Sequence, residues 1–254
     1  MVTVSVTDGD RFVTGLRKEH FKVYEDGVLM KTDFFDPSQS TLEVAIGVDI
    51  SESMRESIGD VKENVKRFLA KLRPEDRATV GAFNEEYYVA AAPDLERSVQ
   101  MKKVGQLASW GMTSLYDVIL RSFDQLGGKP GRHALVIFTD GDDTASRASR
   151  QAVEKRVARN DAGLFIIGQG NAQKQGDLRA LCDRLATKSG GMAFFPTDAT
   201  SLARAFDRIA DELAHQYLLT YEPRSVKADG RERRLKVEVA GGYQVRHAEG
   251  YTPK

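Results

Sequence analysis

Residues 42–53 read Leu-Glu-Val-Ala-Ile-Gly-Val-Asp-Ile-Ser-Glu-Ser, a nearly continuous apolar run that ends in polar side chains. Such a run is typical of a strand that is covered on both faces, as in a parallel sheet. Asp49, Ser51 and Ser53 follow at alternating positions, so their oxygen atoms can converge on one point. In an open α/β sheet, ligands bind outside the carboxyl ends of the strands. The segment therefore predicts a fold class and the position of a site.

The rest of residues 41–215 alternates between strand and helix patterns. Apolar residues at helical spacing predict helices, and short apolar runs predict strands. The predicted helices cover residues 58–72, 115–126, 149–159, 178–187 and 202–213. Besides residues 42–50, the predicted strands cover residues 78–83, 87–91, 134–138, 164–167 and 192–195. This alternation predicts an α/β domain with a Rossmann-like, doubly wound, mostly parallel central sheet flanked by helices.

Both ends of the chain have the period-two pattern of β-strands. Strands are predicted over residues 2–6, 21–24, 29–35, 217–221, 234–239 and 243–246. A turn signal at residues 25–27 indicates a hairpin, and residues 36–40 are expected to be a linker. Each end has too few strands to be stable alone. We therefore predict that residues 1–38 and 217–254 pair into one small, discontinuous, sandwich-like β module.

Composition and charge argue against several classes of protein. Lys plus Arg and Asp plus Glu each number 37, so the formal net charge is zero and no overall basic field attracts nucleic acid. No apolar run is long enough to span a membrane, and the first residues lack the pattern of a signal peptide. The only cysteine, Cys182, lies in a helical pattern and is predicted to be a buried structural thiol.

The polar segment after the first core strand has the chemistry of a hard metal site. Asp49 offers a carboxylate, and Ser51 and Ser53 offer hydroxyls. These oxygen ligands suit Mg²⁺, Mn²⁺ or Ca²⁺ rather than zinc. Taken alone, the same residues also fit a cap for a helix that begins near Glu56.

Two further segments favour the metal site. Thr113 opens a predicted helix in the sequence Trp-Gly-Met-Thr-Ser and offers another hydroxyl. Asp140 ends a predicted core strand in the sequence Phe-Thr-Asp-Gly and offers a second carboxylate. If the strands are parallel, both residues lie at the same end of the sheet as Asp49. We therefore predict one metal site with ligands from three segments.

The three motifs together resemble the metal ion-dependent adhesion site of von Willebrand factor A domains. They are, in the family's order, Asp49-x-Ser51-x-Ser53, Gly-x-Thr113 and Thr139-Asp140-Gly141. The resemblance covers about residues 41–215 and implies a nucleotide-binding-like α/β fold. It also implies a bound Mg²⁺, or Mn²⁺ or Ca²⁺, and a protein partner whose acidic side chain completes the coordination of the metal.

The resemblance further implies a role for each ligand. Ser51 and Ser53 would bind the metal directly through their hydroxyls. Thr113 would bind it directly or through water, depending on the conformational state. Asp49 and Asp140 would act mostly through water and by hydrogen bonds.

Four neighbouring residues have two interpretations each. Asp142 and Asp143 fit a place just outside the direct ligands of the metal or a peripheral cation site, or else solvated loop charges near a helix N-terminus. Asp117 either orients Thr113 or has a solvated or capping role. Trp110 either packs under the Thr113 loop or sits on the binding rim.

The two ends of the chain resemble a bacterial subgroup, the von Willebrand factor A-related Acidobacterial domain. The resembling segments are residues 23–27, 217–223 and 245–251. This resemblance implies an extracytoplasmic location, periplasmic or secreted, with a targeting segment outside this chain. A cytoplasmic location stays open, and no ligand is implied.

Three functions fit this metal chemistry. We favour a metal-dependent protein-binding module that is not an enzyme. One alternative is a Mg²⁺-dependent hydrolase or phosphotransferase, because acidic metal sites at strand ends also serve those enzymes. The other is a structural domain with a vestigial metal site. Against an enzyme, the sequence has no Gly-x-Ser-x-Gly motif, no phosphate-binding loop and no metal-ligand spacing among its histidines.

Overall fold

The computed structural model describes residues 1–35, 40–126, 131–141, 143–159, 162–223 and 227–253. The strands are, in chain order, β1 (Val2–Asp8), β2 (Arg11–Phe12), β3 (Phe21–Glu25), β4 (Val28–Met30), β5 (Thr32–Phe35), β6 (Leu42–Asp49), β7 (Arg77–Phe83), β8 (Tyr87–Ala91), β9 (Arg132–Thr139), β10 (Gly163–Gly168), β11 (Ala193–Phe194), β12 (Tyr217–Tyr221), β13 (Arg233–Val239), β14 (Gln244–His247) and β15 (Gly250–Tyr251). The α-helices are α1 (Ile58–Lys71), α2 (Arg97–Gly105), α3 (Leu115–Leu126), α4 (Arg150–Val157), α5 (Gly170–Lys174), α6 (Gly176–Lys188) and α7 (Ala199–His215). Short 3₁₀ turns cover Lys18–His20 and Glu52–Glu56.

The central sheet has six strands in the order β11-β10-β9-β6-β7-β8. Neighbours pair in parallel except β7 and β8, which form an antiparallel hairpin. The strand order reverses between β6 and β9, which lie side by side with Val48 opposite Phe138. Asp49 is the last residue of β6 and Asp140 directly follows β9, so both emerge at this switch point. Ligands of doubly wound sheets bind at such a point, and the predicted fold class is confirmed.

Helices cover both faces of the central sheet. Helices α1, α2 and α7 pack with Val44 and Ile46 of β6 on one face, and α3 to α6 pack with Ala45 on the other. On the second face, a Cβ on Gly47 would lie 2.6 Å from Cδ1 of Ile137, so a glycine is needed for this close packing. Among the described residues, no helix combines the length and apolar character needed to cross a bilayer.

The two ends of the chain pair into two antiparallel sheets. The first has the order β14-β1-β12-β5, with β2 beside β1, and the second has the order β15-β13-β3-β4. Alternate apolar residues of both sheets share one cluster, in which Val4 of β1 and Val237 of β13 are buried. The predicted pairing of the two ends is thus present. That residues 1–38 and 217–254 form a unit separate from residues 41–215 stays a prediction.

The prediction of one return strand over residues 29–35 is wrong. Strand β4 pairs with β3, whereas β5 pairs with β12 in the other sheet. The chain changes sheet at the exposed residue Lys31, which a uniform alternating pattern does not reveal. Of the expected linker at residues 36–40, residues 36–39 lie outside the described ranges.

Two helices are absent from the sequence predictions. Helix α2 lacks a clear apolar face because it buries Gln100, whose Nε2 donates to the backbone oxygens of Ala78 and Ala92 at 2.8 and 2.7 Å. Helix α5 is too short for a periodic pattern. The predicted burial of Cys182 in its helix is confirmed, since only 1% of the residue is exposed.

A charged network anchors the start of β6, opposite the end that holds Asp49. Asp76 accepts hydrogen bonds from the Leu42 amide at 3.0 Å and from Arg73 Nη2 at 2.8 Å. Arg73 also donates to the backbone oxygen of Ser40 at 2.9 Å. Burial alone would raise the pKa of Asp76, but the bonds from Arg73 and from backbone amides outweigh it and hold the pKa below 3.8.

Asp76→Asn is expected to lower the free energy of unfolding by about 2 kcal/mol at neutral pH, because the amide cannot replace charge-assisted hydrogen bonds. The folded-state pKa of Asp76 lies below the unfolded value of 3.8, so this stabilisation is present above that pH and is lost as the pH falls through the folded value. Urea denaturation of both proteins between neutral pH and about pH 2 measures the effect.

Glu75→Gln is the matched control, since Glu75 is an exposed partner of Arg73 and its loss should change stability by less than about 1 kcal/mol. A stability difference between the parent and Asp76→Asn that stays constant down to low pH would contradict the assigned charge state.

Candidate metal centre

Asp49 is held at the end of β6 with its carboxylate buried. Its Oδ1 accepts a hydrogen bond from the Ser51 amide at 2.9 Å, and its Oδ2 accepts one from Thr139 Oγ1 at 2.7 Å. Burial raises the pKa of Asp49 to about 6, although these two bonds oppose the rise, and the charge of Asp140 adds to it. The carboxylate is therefore fixed in orientation, and its charge is unfavourable in this environment.

The serine hydroxyls connect this segment to the end of β9. Ser51 Oγ lies 3.1 Å from Ser53 Oγ, and Ser53 Oγ donates to Asp140 Oδ1 at 2.8 Å. Ser51 occupies the N-cap position of the turn Glu52–Glu56 but makes no side-chain capping bond. The geometry therefore favours convergence of these hydroxyls on Asp140 over the helix-cap alternative.

Thr113 lies buried beside the segment that holds Asp140. A Cβ placed on Gly141 would lie 3.8 Å from Thr113 Oγ1, so the hydroxyl faces the residue after Asp140. The Thr113 amide donates to Thr144 Oγ1 at 3.0 Å, and the Thr113 carbonyl accepts from the amides of Thr144 and Ala145, each at 2.9 Å. The loop after β9 thus fixes Thr113, which was predicted as the second of the three components.

Backbone hydrogen bonds join the Thr113 loop to the segment after β6. The Trp110 amide donates to Ile50 O at 2.7 Å, and the Glu52 amide donates to Gly111 O at 2.9 Å. Gly111 has a φ of +81°, and the Glu85 carboxylate fills the space where a side chain would stand. The positive φ favours glycine here, whereas the Glu85 side chain is long enough to move aside. The two loops therefore form one fixed rim around the serines.

The oxygen atoms at this position are those that hard divalent cations prefer. They are the hydroxyls of Ser51, Ser53 and Thr113 and the carboxylates of Asp49 and Asp140. Over the described ranges, no three His, Cys, Asp or Glu side chains group as a metal site, so a cation here depends on hydroxyls as well. A cation would also offset two carboxylates whose pKa burial raises. The residues present therefore fit a hard divalent metal.

Asp143 and Asp117 bond to backbone around the start of α3. The Asp143 carboxylate accepts from the Tyr116 amide at 3.2 Å. The Asp117 carboxylate accepts from the amides of Arg147 and Ala148 at 3.1 and 2.9 Å. Both side chains fasten the loop after β9 to the helix that Thr113 precedes. A role of either carboxylate in the outer shell of a metal stays a prediction.

Of the other two neighbouring residues, Trp110 and Asp142, the structure describes only Trp110. Trp110 exposes 53% of its surface, which does not fit packing under the loop, and its place on a binding rim stays a prediction. Asp142 lies outside the described residues.

Three side chains shape the centre without having been assigned a role from the sequence. Thr139 orients Asp49, Thr144 caps the Thr113 amide, and Asn84 Nδ2 donates to the Trp110 carbonyl at 3.1 Å. Thr139 belongs to the motif Thr139-Asp140-Gly141, so the sequence did contain a signal for its role at the site. Thr144 follows Asp140 by four residues in the same loop, whereas Asn84 comes from a segment that only the folded strand order brings to the site.

The family model of the von Willebrand factor type A domain matches residues 43–208. In a comparison with curated protein sequences, none matches this chain.

Solved structures with the same fold include three of different origin. A von Willebrand factor type A protein from Catenulispora acidiphila has 17% identity and a TM-score of 0.57, covering 82% of this chain and 66% of that chain. The vWF domain of the type V pili tip protein Mfa5 from Porphyromonas gingivalis has 13% identity and a TM-score of 0.54, covering 68% and 94%. Proximal thread matrix protein 1 from the mussel byssus, with a zinc-occupied MIDAS motif, has 12% identity and a TM-score of 0.59, covering 75% and 50%.

At these identities the structural likeness concerns the fold. The chain spans less than two thirds of the length of the Catenulispora and mussel proteins. The family model, in contrast, covers most of the chain, from the start of β6 into α7. Together with the doubly wound sheet, this match shows that the chain belongs to the von Willebrand factor type A domain family.

Proposed function

We propose that this chain binds a protein partner through a divalent cation and is not an enzyme. In this proposal, the cation is Mg²⁺, or Mn²⁺ or Ca²⁺, and an acidic side chain of the partner completes its coordination. The ligands are those of the candidate centre: Asp49, Ser51, Ser53, Thr113 and Asp140. The observation that supports the proposal most directly is the hydrogen-bonded chain from Ser51 through Ser53 to Asp140, beside the buried Asp49.

The cation and the residues of the candidate centre have separate roles in this proposal. A bound divalent cation would supply an electrophilic centre with a position open to a partner's carboxylate. Thr139 and the Ser51 amide hold Asp49, and Ser53 holds Asp140, so the ligands are placed before the cation arrives. Hydroxyl ligands add no formal charge, so the cation keeps its attraction for an anionic partner. The apparent affinity for the partner then increases with the free concentration of the metal, by mass action.

The identity of the metal is part of the proposal. The mussel byssus protein has zinc in its MIDAS motif, so zinc belongs among the cations to be tested. The ligand atoms proposed here are all oxygen, whereas zinc sites in proteins are built mainly from sulfur and nitrogen. This difference favours Mg²⁺, Mn²⁺ or Ca²⁺ over zinc in the present chain.

The location proposed for this module is extracytoplasmic. A pili tip protein and a mussel byssus protein are among the structures that share its fold. A cytoplasmic location is the alternative. Protease accessibility of the chain in intact cells of its native source distinguishes the two.

Calorimetric titration with Mg²⁺, Mn²⁺, Ca²⁺ and Zn²⁺ tests the metal site. We expect one site in the parent and about ten-fold weaker binding in Ser53→Ala, because the change removes one ligand and frees Asp140 from its hydrogen bond. Glu52→Gln is the matched control from the same loop, since Glu52 is exposed and pairs with Arg55. Its metal affinity should equal that of the parent.

The same titration separates the proposal from its alternatives. No binding by the parent at millimolar metal would favour a structural domain with a vestigial site. Turnover of a generic phosphoester, lost in Ser53→Ala, would favour a hydrolase or phosphotransferase instead.

A further inference from the structure

Two large apolar side chains stand beside the candidate metal centre and face solvent. Trp110 and Met112 each expose 53% of their surface. They flank Gly111, and Met112 directly precedes the buried Thr113. We name this pair the apolar rim. Large apolar side chains that are exposed on a loop next to a site with converging polar groups often mark an interaction surface.

The backbone under the apolar rim is fixed. The Trp110 amide and carbonyl are both used, by Ile50 O at 2.7 Å and by Asn84 Nδ2 at 3.1 Å. The next carbonyl, that of Gly111, accepts from the Glu52 amide at 2.9 Å. The exposed side chains therefore sit on an ordered loop whose position is set by the same segment that holds Ser51. A partner that packs on them has little backbone left to order.

The charges around the rim define which partner suits it. Asp49 and Asp140 are buried in the adjoining centre, and the Glu85 carboxylate lies against Gly111. Without a cation this field repels an acidic partner, and with a cation the attraction is confined to the metal. The rim itself carries no formal charge and offers mainly apolar contact, besides the indole N–H of Trp110. A partner segment therefore gains from an acidic side chain over the metal and an apolar side chain next to it.

We propose that the apolar rim selects partner proteins in which an aliphatic or aromatic side chain lies within two residues of the metal-binding acid. This inference rests on the proposed function and adds a specificity element to it. A buried tryptophan at the centre of a contact typically contributes about ten-fold or more to affinity.

Immobilised peptides of the form Gly-Xaa-Asp-Xaa-Gly test the inference, with Xaa as Leu, Phe or Ser and with Asn replacing Asp as a control. In the presence of Mg²⁺, we expect the parent to bind the Leu and Phe peptides about ten-fold more tightly than the Ser peptide. Trp110→Ser and Met112→Ser should each reduce this preference at unchanged Mg²⁺ affinity. Val99→Ser, at an exposed valine of α2, is the matched control and should keep the preference.

The outcomes separate this inference from the proposed function. Binding that needs both Asp and Mg²⁺ but ignores Xaa would overturn the inference alone. A preference for Leu and Phe that persists in both rim variants would overturn its assignment to Trp110 and Met112. Binding that needs neither Asp nor Mg²⁺, or no binding at all, would overturn the proposed function and the inference with it.

Discussion

Asp49→Asn is expected to abolish Mg²⁺ binding and, at the same time, to stabilise the metal-free protein. The amide keeps an oxygen for the Ser51 amide and can pair with the Thr139 hydroxyl, so the loop should hold its shape. Removal of one of two carboxylates should weaken metal binding by about 100-fold or more, which is about 2.7 kcal/mol.

The gain in stability follows from burial of the charge. The folded-state pKa of Asp49 is raised from 3.8 to about 6, so the folded protein holds its proton more strongly than the unfolded chain does. The metal-free protein therefore loses stability as the pH rises from 3.8 through about 6. Since each pKa unit corresponds to about 1.4 kcal/mol, Asn should recover on the order of 3 kcal/mol at neutral pH.

Thermal denaturation with and without Mg²⁺ measures both effects in one experiment. The parent should melt at a higher temperature when Mg²⁺ is added, by mass action. Asp49→Asn should melt above the metal-free parent and show no response to Mg²⁺. A variant that still responds to Mg²⁺, or that melts below the metal-free parent, would remove Asp49 from the proposed centre.

Much of the α/β architecture follows from the sequence because its strands are buried on both faces. The apolar run of β6 and the helical spacing of α1, α3 and α7 are local patterns, and the structure has these elements within a few residues of the predicted bounds. Helix α2 is not predicted from such patterns because its buried face includes the polar residue Gln100. The Gln100 side-chain amide donates to backbone oxygens of β7 and of the loop after β8. These hydrogen bonds of Gln100 depend on the tertiary structure, which local periodicity does not encode.

The sequence also locates the components of the candidate centre, but not its supports. Asp49, Ser51 and Ser53 share one motif, and the switch point between β6 and β9 explains why Asp140 lies within reach of Ser53. The bonds that hold the rim come from backbone groups and from Asn84 in the turn between β7 and β8. Backbone groups are present at every residue, so no sequence pattern distinguishes those that serve this site.

Arg246→Met is expected to cause a large loss of stability while leaving the metal centre untouched. Arg246 of β14 forms a salt bridge with Glu212 of α7, whose side chain is fully buried. Ser5 of β1 donates to the same carboxylate at 2.6 Å. Without the arginine, a buried charge is left with one hydroxyl partner, which should lower the free energy of unfolding by about 3 to 4 kcal/mol.

Arg67→Met provides the control, because Arg67 pairs with Asp207 of the same helix at a more exposed position and should matter by less than about 1 kcal/mol. The double variant Glu212→Met with Arg246→Met should recover part of the loss, since it removes the unpaired charge. An effect of Arg246→Met no larger than that of Arg67→Met would show that Glu212 is solvated rather than buried.

The same variant tests whether the terminal β module folds with the α/β domain. The Glu212 carboxylate joins α7 to both β1 and β14, so the parent should unfold in one transition. Trp110, the only tryptophan, reports on the α/β part by fluorescence, while circular dichroism reports on both parts. In Arg246→Met, the salt bridge between β14 and α7 is lost, so we expect the β strands of the two ends to unfold first. The circular dichroism signal should then change at a lower denaturant concentration than the fluorescence. Two separate transitions already present in the parent would instead show that residues 1–38 and 217–254 fold independently.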